Sequence, residues 1–199
     1  SIRLLGTNEN EEWSYPKFYL SSEGNPFGIS YNKLWVLDKN NNYKISQVGE
    51  IPLVTGGISE KIIHQNPNDE KDYKELSALT VSSPVGDRGS AVMIDKDKIL
   101  FIGGQQTGME YAASNNAILI DISDSFKPKI IKKKSMHYPR AFADATILPN
   151  GDVFVNGGSA SNHASFEDFD FSILTPEIYK TNDNVWKKMS KTNFRRNYH

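Results

Sequence analysis

Two stretches of this chain repeat one another without a gap, and this repeat limits the possible folds more than any other feature. The first is "GSAVMIDKDKILFIGG" (residues 89–104), and the second, 54 positions later, is "ADATILPNGDVFVNGG" (143–158). Each reads as an apolar β-type run, a polar turn, a second apolar run and Gly-Gly. Pro149, Asn150 and Gly151 are strong turn residues, because proline presets the turn and glycine accepts a positive φ. The sequence therefore predicts two hairpins of one repeating unit.

Further apolar runs extend this unit from two strands to four. A weaker third copy, "FYLSSEGNPFGIS", covers residues 18–30 and has Gly24 at its turn. The three copies are followed by the β-type runs "KLWVLD", "NAILID" and "PEIYK", and two of the units are closed by "KPKIIKK" and "NVWKKM". No segment has a convincing long helical period. The chain therefore consists of units of about 50 residues, each with four short strands.

Units of this kind are typical of the blades of a kelch-type β-propeller. Gly-Gly has a physical role at the end of the second strand, because the chain turns tightly near a crowded central channel where side chains would clash. We predict an all-β fold with three to four four-stranded blades of a larger, seven-bladed ring. A β-sandwich of hairpins is the alternative fold.

The domain prediction follows from the length of the unit. Residues 1–199 form one partial β-propeller domain, with an insertion or long loop at about residues 59–79, which are polar and aperiodic. A ring that stops after three or four blades exposes strand edges and one apolar blade face. We therefore expect that flanking blades are missing and that the remaining segments of the same propeller are partners of this chain.

Composition and charge exclude several kinds of site and partner. The chain has no cysteine, so it supplies no disulfide and no thiolate metal ligand. Its formal net charge is −1, which argues against a nucleic-acid partner. The basic run Lys132–Lys134 is interpreted as a solvated strand and turn. No apolar run approaches the length of about 18 residues that a membrane span requires.

Four motifs together resemble a known family. The segments "GSAVMIDKDKILFIGG", "PRAFADATILPNGDVFVNGG", "FEDFDFSILTPEIY" and "RNYH" occur in the order and at the approximate spacing of the galactose oxidase and glyoxal oxidase group of copper radical oxidases. The blade before them, "YPKFYLSSEGNPFGISYNKLWVLD", is similar as well. The resemblance extends over nearly the whole chain, from about Tyr15 to His199.

The resemblance implies a role for three residues. In that family an Arg-x-Tyr-His motif supplies two ligands of a single copper ion, so Tyr198 would be the axial ligand and His199 an equatorial ligand. Copper(II) suits imidazole and oxygen ligands. A weakly bound axial phenolate can also act as a base towards a substrate hydroxyl, which makes Tyr198 the expected catalytic residue. Phe166 aligns with the family segment whose phenylalanine lines the substrate cavity; a partly exposed aromatic residue in a loop is the alternative interpretation.

The family also requires residues that this chain does not supply. They are a radical-forming tyrosine cross-linked to a cysteine, and a second histidine; in family order they fall outside the region matched here. Phe142, in "PRAFAD", takes the blade position of the Arg-x-Tyr motif but has no oxidisable phenol, and we interpret it as core packing. We expect the isolated chain to be inactive, and we expect the isolated histidines His64, His137 and His163 to lie on the surface or in loops.

The predicted function follows from the resemblance. The chain would be part of a copper oxidase that oxidises a primary alcohol or aldehyde with O2 and gives hydrogen peroxide, acting on a small alcohol, an aldehyde or a carbohydrate. The family resemblance implies an extracellular or cell-envelope location. The alternative is a non-catalytic kelch propeller that binds a carbohydrate or a protein, because a fold does not fix a function.

Overall fold

The computed structural model describes residues 16–30, 32–51, 88–104, 113–160 and 172–196. Within these ranges the chain forms twelve β-strands and one 3-10 helix, Lys39–Asn41. The strands are β1 (Lys17–Leu20), β2 (Pro26–Ser30), β3 (Lys33–Asp38), β4 (Lys44–Glu50), β5 (Ser90–Asp95), β6 (Lys98–Ile102), β7 (Ala117–Asp121), β8 (Lys129–Lys133), β9 (Asp144–Ile147), β10 (Val153–Asn156), β11 (Glu177–Lys180) and β12 (Val185–Lys188). No helix in these ranges has the length and apolar character that crossing a membrane would need.

The described strands form three antiparallel sheets, each of four strands that follow one another in the chain. The first sheet contains β1 to β4, the second β5 to β8 and the third β9 to β12. These sheets confirm the predicted four-strand units. Strand β4 was not predicted, because "KISQVGE" has no clear alternation of apolar and polar residues, and the side chains of this strand are half-buried or exposed.

The second sheet is buried on both faces, as alternate residues of β6 show. Ile99 and Phe101 pack against the first sheet, and Leu100 and Ile102 pack against the third. All four side chains are buried, because successive residues of a strand point to opposite faces. The described sheets therefore stack face to face in chain order, as propeller blades do. The predicted all-β blade architecture is confirmed, and the two-sheet sandwich is not observed.

The Gly-Gly pairs end the second strand of their sheets, as predicted. Gly103 and Gly104 have φ values of +62° and +82°, and Gly157 and Gly158 have +65° and +81°. A Cβ atom on Gly103 would lie 2.2 Å from the carbonyl oxygen of Arg140. Only glycine accepts both the left-handed backbone and the close approach of the next segment.

The predicted hairpin turn between β9 and β10 is also present. Gly151 has a φ of +82°, and the Asn150 side-chain oxygen accepts a hydrogen bond from the backbone N–H of Asp152 (3.1 Å). The N–H of Leu148 donates to the Asp152 carbonyl (2.8 Å). No heavy atom lies within 4 Å of an added Cβ at Gly151, so glycine is required here only because the backbone angle φ is positive.

Parts of the domain prediction lie outside the described residues. The insertion at about residues 59–79 falls between residues 51 and 88 and is not described. The seven-bladed ring and the missing flanking blades stay predictions.

Candidate functional site

The first strands of the three sheets begin around an open groove of about 200 Å³. Strands β5 and β9 lie against each other here, so their leading residues form two sides of the groove. Its lining includes two cationic side chains, one anionic side chain, one aromatic ring and five small residues. The lining residues are Lys17, Arg88, Gly89, Ser90, Ala91, Phe142, Ala143, Asp144 and Ala145.

Two residues at the rim share an unusual backbone conformation. Arg88 and Phe142 occupy equivalent positions of the repeat, immediately before residues 89 and 143, and both have a φ of +60°. The N–H of Phe142 donates to the carbonyl of Arg88 (2.9 Å), and the Arg88 guanidinium lies 5.1 Å from the centre of the Phe142 ring. In the second and third units the residue at this position therefore adopts a left-handed conformation, which costs an ordinary side chain about 1–2 kcal/mol.

The side chains of Phe142 and Ala143 pack in different places, although both residues line the groove. Phe142 packs with Ala113 and Ala141, whereas Ala143 belongs to the apolar cluster between the second and third sheets. The next residue, Asp144 of strand β9, lines the groove as well, so consecutive residues line it with and without a left-handed conformation.

A buried arginine lies two residues before Phe142 in the chain. Arg140, 1% exposed, donates from Nη1 to the carbonyl of Gly157 (2.8 Å) and from Nη2 to the carbonyl of Thr175. The same Nη2 lies 3.2 Å from Oε1 of Glu177, which is fully buried. Arg140 therefore joins the Gly-Gly turn of the third sheet to strand β11.

Glu177 is held by further donors from the segment between β8 and β9. Its Oε2 accepts the backbone N–H of His137 and contacts the His137 Nδ1, each at 2.8 Å, and its Oε1 accepts the N–H of Tyr138 (3.1 Å). Burial by itself would raise the pKa of Glu177, but hydrogen bonds from His137 and the charge of Arg140 outweigh it, and the pKa is lowered. Burial lowers the pKa of Arg140, and Glu177 opposes this change.

The backbone contact that places Phe142 recurs one blade later. The N–H of Gly104 donates to the carbonyl of Arg140 at 2.7 Å, and the N–H of Gly158 donates to the carbonyl of Arg196 at 2.7 Å. A Cβ on Gly157 would lie 2.8 Å from the same Arg196 carbonyl. The Arg-x-Phe segment and the Arg-x-Tyr-His segment therefore begin with the same anchoring to a Gly-Gly pair.

The predicted site residues lie outside the part of the chain that the structure describes. These are Tyr198, His199 and Phe166. Among the described residues, no group of three or more His, Cys, Asp or Glu side chains could hold a metal ion. Phe142 is 5% exposed and packs with Ala113 and Ala141, which confirms its interpretation as a core residue. It also lines the groove.

Sequence reasoning missed Glu177 and its contact with His137. His137 lies in a loop, as expected, but its ring contacts a buried carboxylate. A signal was available in "EIYK", because Glu177 and the buried Tyr179 occupy the same face of β11. A charged residue on a buried face requires a partner.

Comparisons with known proteins support the resemblance noted in the sequence. Two galactose oxidases of Gibberella zeae are each 30% identical to this chain over 115 residues, which is 56% of the chain and 17% of the relative. The described fold is similar to a fungal alcohol oxidase of the AA5 family solved in complex with copper, with a TM-score of 0.53 and 20% identity. No model of a known protein family matches the chain.

The two kinds of comparison support different statements. The sequence match confirms that the chain is similar to galactose oxidase, and the structural match confirms the fold. The chain spans 17% of the length of the curated relatives, and the structural match covers 92% of this chain but 45% of the solved one. The activity, substrate and partners of the complete protein are therefore proposals.

Proposed function

We propose that this chain forms part of a copper oxidase that transfers two electrons and two protons from a primary alcohol to O2. The products are an aldehyde and hydrogen peroxide. An aldehyde, as its hydrate, is oxidised to a carboxylic acid with the same balance. We further propose that the chain contributes three to four blades of a larger, seven-bladed propeller, and that the complete protein is extracellular or attached to the cell envelope.

One observation carries the proposal. The Gly158 contact with the Arg196 carbonyl repeats the Gly104 contact with the Arg140 carbonyl, at the same 2.7 Å. Two residues after Arg140, Phe142 lines the groove. By the same spacing, Tyr198 lies two residues after Arg196. This spacing supports a position for Tyr198 at the equivalent point of the next blade.

The adjacent histidine has an equivalent in the earlier unit. By the same spacing, His199 corresponds to Ala143. Ala143, like Phe142, lines the groove. We propose that His199 contributes its imidazole from this equivalent position, beside Tyr198.

The chemistry of these two donors fits copper. A phenolate oxygen and an imidazole nitrogen are ligands that copper(II) accepts in a tetragonal site. The chain has no cysteine, so a tyrosine–cysteine cross-link has to come from residues beyond these 199, as does a second histidine ligand. Bound copper would supply one-electron redox chemistry at this position.

The protein side chains would have separate tasks in this proposal. Tyr198 would accept the proton of the substrate hydroxyl at its phenolate oxygen, which requires a pKa near the working pH. His199 would hold its imidazole towards the metal. Phe166 would line the substrate cavity and exclude water from it.

Copper titration of the full-length protein, followed by electron paramagnetic resonance, tests the proposal. We expect one copper(II) per chain with nitrogen and oxygen ligands. The His199→Ala variant is expected to weaken copper binding at least about tenfold, because loss of a ligand or its support typically costs 10–100-fold in metal affinity. The Tyr198→Phe variant is expected to keep part of the affinity and to lose the oxidation of a primary alcohol with O2.

Matched variants elsewhere in the chain serve as controls. Tyr43 is exposed in the described part of the chain, and Tyr43→Phe is expected to leave copper binding unchanged. His64→Ala is the corresponding control for His199. If the full-length protein binds copper equally well with and without the His199 side chain, this result contradicts the proposed oxidase activity. The non-catalytic propeller is then the better explanation.

A further inference from the structure

A basic edge runs along the outer strands of the second and third sheets. It consists of residues 129–134, "KIIKKK", and 184–191, "NVWKKMSK". These fourteen residues include seven lysines and no aspartate or glutamate. Because the whole chain has a formal charge of −1, the residues outside the basic edge sum to −8.

The two segments are brought together by the fold. The indole N–H of Trp186 donates to the carbonyl of Lys134 (2.7 Å), and the N–H of Lys134 donates to the side-chain oxygen of Asn184 (3.2 Å). They are 50 residues apart in the sequence and belong to different sheets. The contacts make one continuous surface from two lysine runs.

Most of the charge on this surface is not neutralised by the described residues. Lys132, Lys133, Lys134, Lys187 and Lys191 form no ion pair within the part of the chain that the structure describes. All of these lysines except the half-buried Lys133 are exposed. The clustered positive charges repel one another, so an anionic partner gains from neutralising them.

Protection of a sheet edge does not account for this concentration of lysine. Lysines on an edge strand do prevent pairing with other chains. Strand β4 has the same place at the edge of the first sheet, yet it has one lysine, Lys44, and one glutamate, Glu50, in seven residues. Glu50 accepts a hydrogen bond from Gln47 (2.8 Å), so this edge is neutral and locally paired.

The chemistry of the basic edge indicates the class of partner. All seven charges are lysines, which act as point charges, whereas recognition of phosphate commonly uses the bidentate arginine fork. The aromatic residue within the edge, Trp186, is buried and cannot stack on nucleic-acid bases. The extended strands β8 and β12 offer rows of charges to a linear polymer with separate carboxylates.

We propose that the basic edge binds an acidic polysaccharide, a linear carbohydrate polymer that carries carboxylates. The edge belongs to the outer strands, whereas the groove is formed by the leading residues of the inner strands β1, β5 and β9. The polymer is therefore bound away from the groove, and this proposal does not depend on the oxidase activity. Its effect is to hold the protein on a carboxylated carbohydrate surface.

Calorimetric titration of the full-length protein with polygalacturonate tests this proposal at a salt concentration of about 0.1 M, where exposed charges are only partly screened. We expect binding that disappears at about 1 M salt. The double variant Lys132→Glu with Lys187→Glu is expected to bind about tenfold more weakly, since each surface charge contact contributes up to about 1 kcal/mol.

A matched double variant controls for total charge. Lys44→Glu with Lys96→Glu changes two exposed lysines outside the basic edge and is expected to bind within about twofold of the natural protein. The neutral variant Lys132→Gln with Lys187→Gln retests the edge if charge reversal prevents folding, and it is also expected to weaken binding. Equal loss of affinity in the edge and control variants would overturn the proposal. It would also be overturned if the natural protein did not bind polygalacturonate, or if it bound duplex DNA or anionic lipid vesicles more tightly than polygalacturonate.

Discussion

The two faces of the second sheet pack on their neighbours in different ways. Against the first sheet, an apolar cluster is closed at the turn end by the buried Asn25 amide, which donates to the Ser125 hydroxyl (3.0 Å), and by that hydroxyl, which donates to Oε2 of Glu23 (2.7 Å). Against the third sheet, a similar apolar cluster is closed at the groove end by the buried Arg140–Glu177 pair. Both interfaces therefore include a carboxylate, but the one beside the third sheet is buried and paired with a buried cation, whereas Glu23 accepts from a neutral hydroxyl.

This difference shows where the packing is most exacting. A buried ion pair adds little net stability when both partners are present, but removal of one partner leaves a charge without compensation. Arg140 also donates its backbone N–H to the Ser114 carbonyl (3.0 Å) and accepts the N–H of Gly104, so it binds both sheets. The interface beside the groove thus depends on a buried ion pair, whereas the polar contacts of the other interface join a carboxylate to neutral donors.

Replacement of Arg140 by methionine is expected to have the largest effect. Glu177 would stay buried with only the His137 and Tyr138 donors, and loss of one partner of a buried pair costs about 3–5 kcal/mol. The free energy of unfolding of the full-length protein, measured by urea denaturation, is expected to fall by this amount.

The matched variant at the other interface is Ser125→Ala. It removes both the acceptor of the buried Asn25 amide and the hydroxyl that donates to Glu23, and such losses cost about 1–3 kcal/mol. A cost for Arg140→Met no larger than that for Ser125→Ala would show that the two interfaces do not differ in the way described.

Gly103→Ala tests the close approach of Arg140 to the Gly-Gly pair. The added Cβ would overlap the Arg140 carbonyl at 2.2 Å on a backbone with a φ of +62°, and overlap and backbone strain together cost about 2–4 kcal/mol. Gly151→Ala is the control, because its φ is +82° but no atom lies within 4 Å of the new Cβ. We expect a loss of about 1 kcal/mol there. Equal losses in thermal unfolding would mean that the left-handed angle alone explains both glycines.

The smallest expected effect is a pH dependence that originates from Glu177. Its pKa in the folded protein lies below the ordinary glutamate value, so the unfolded chain binds a proton at a higher pH than the folded chain does. The resulting stabilisation is complete above about pH 4.3 and is lost as the pH falls through the folded pKa. The natural protein should therefore lose stability on acidification more steeply than Glu177→Gln, by up to about 1.4 kcal/mol per pH unit. Parallel profiles would contradict a lowered Glu177 pKa.

The predictability of the fold varies among the elements. The strands of the Gly-Gly repeats, β5 with β6 and β9 with β10, were predicted because each has an apolar run, turn residues and a Gly-Gly end. Strand β4 was missed because its residues are not deeply buried and its pattern is weak. The candidate site was predicted from resemblance alone, and its residues Tyr198, His199 and Phe166 stay predictions.

The sequence by itself determined which residues turn and which face of each strand is apolar. Glycines with positive φ and alternating side chains are local properties, so Gly151 and the runs of β6 could be read directly. Only the tertiary structure decided which charges meet. Glu177 accepts a hydrogen bond from Arg140, which lies 37 positions away in the sequence. Lys134 accepts one from Trp186, which lies 52 positions away, because stacking brings separate blades into contact. Such contacts depend on the packing of whole sheets, which no local pattern encodes.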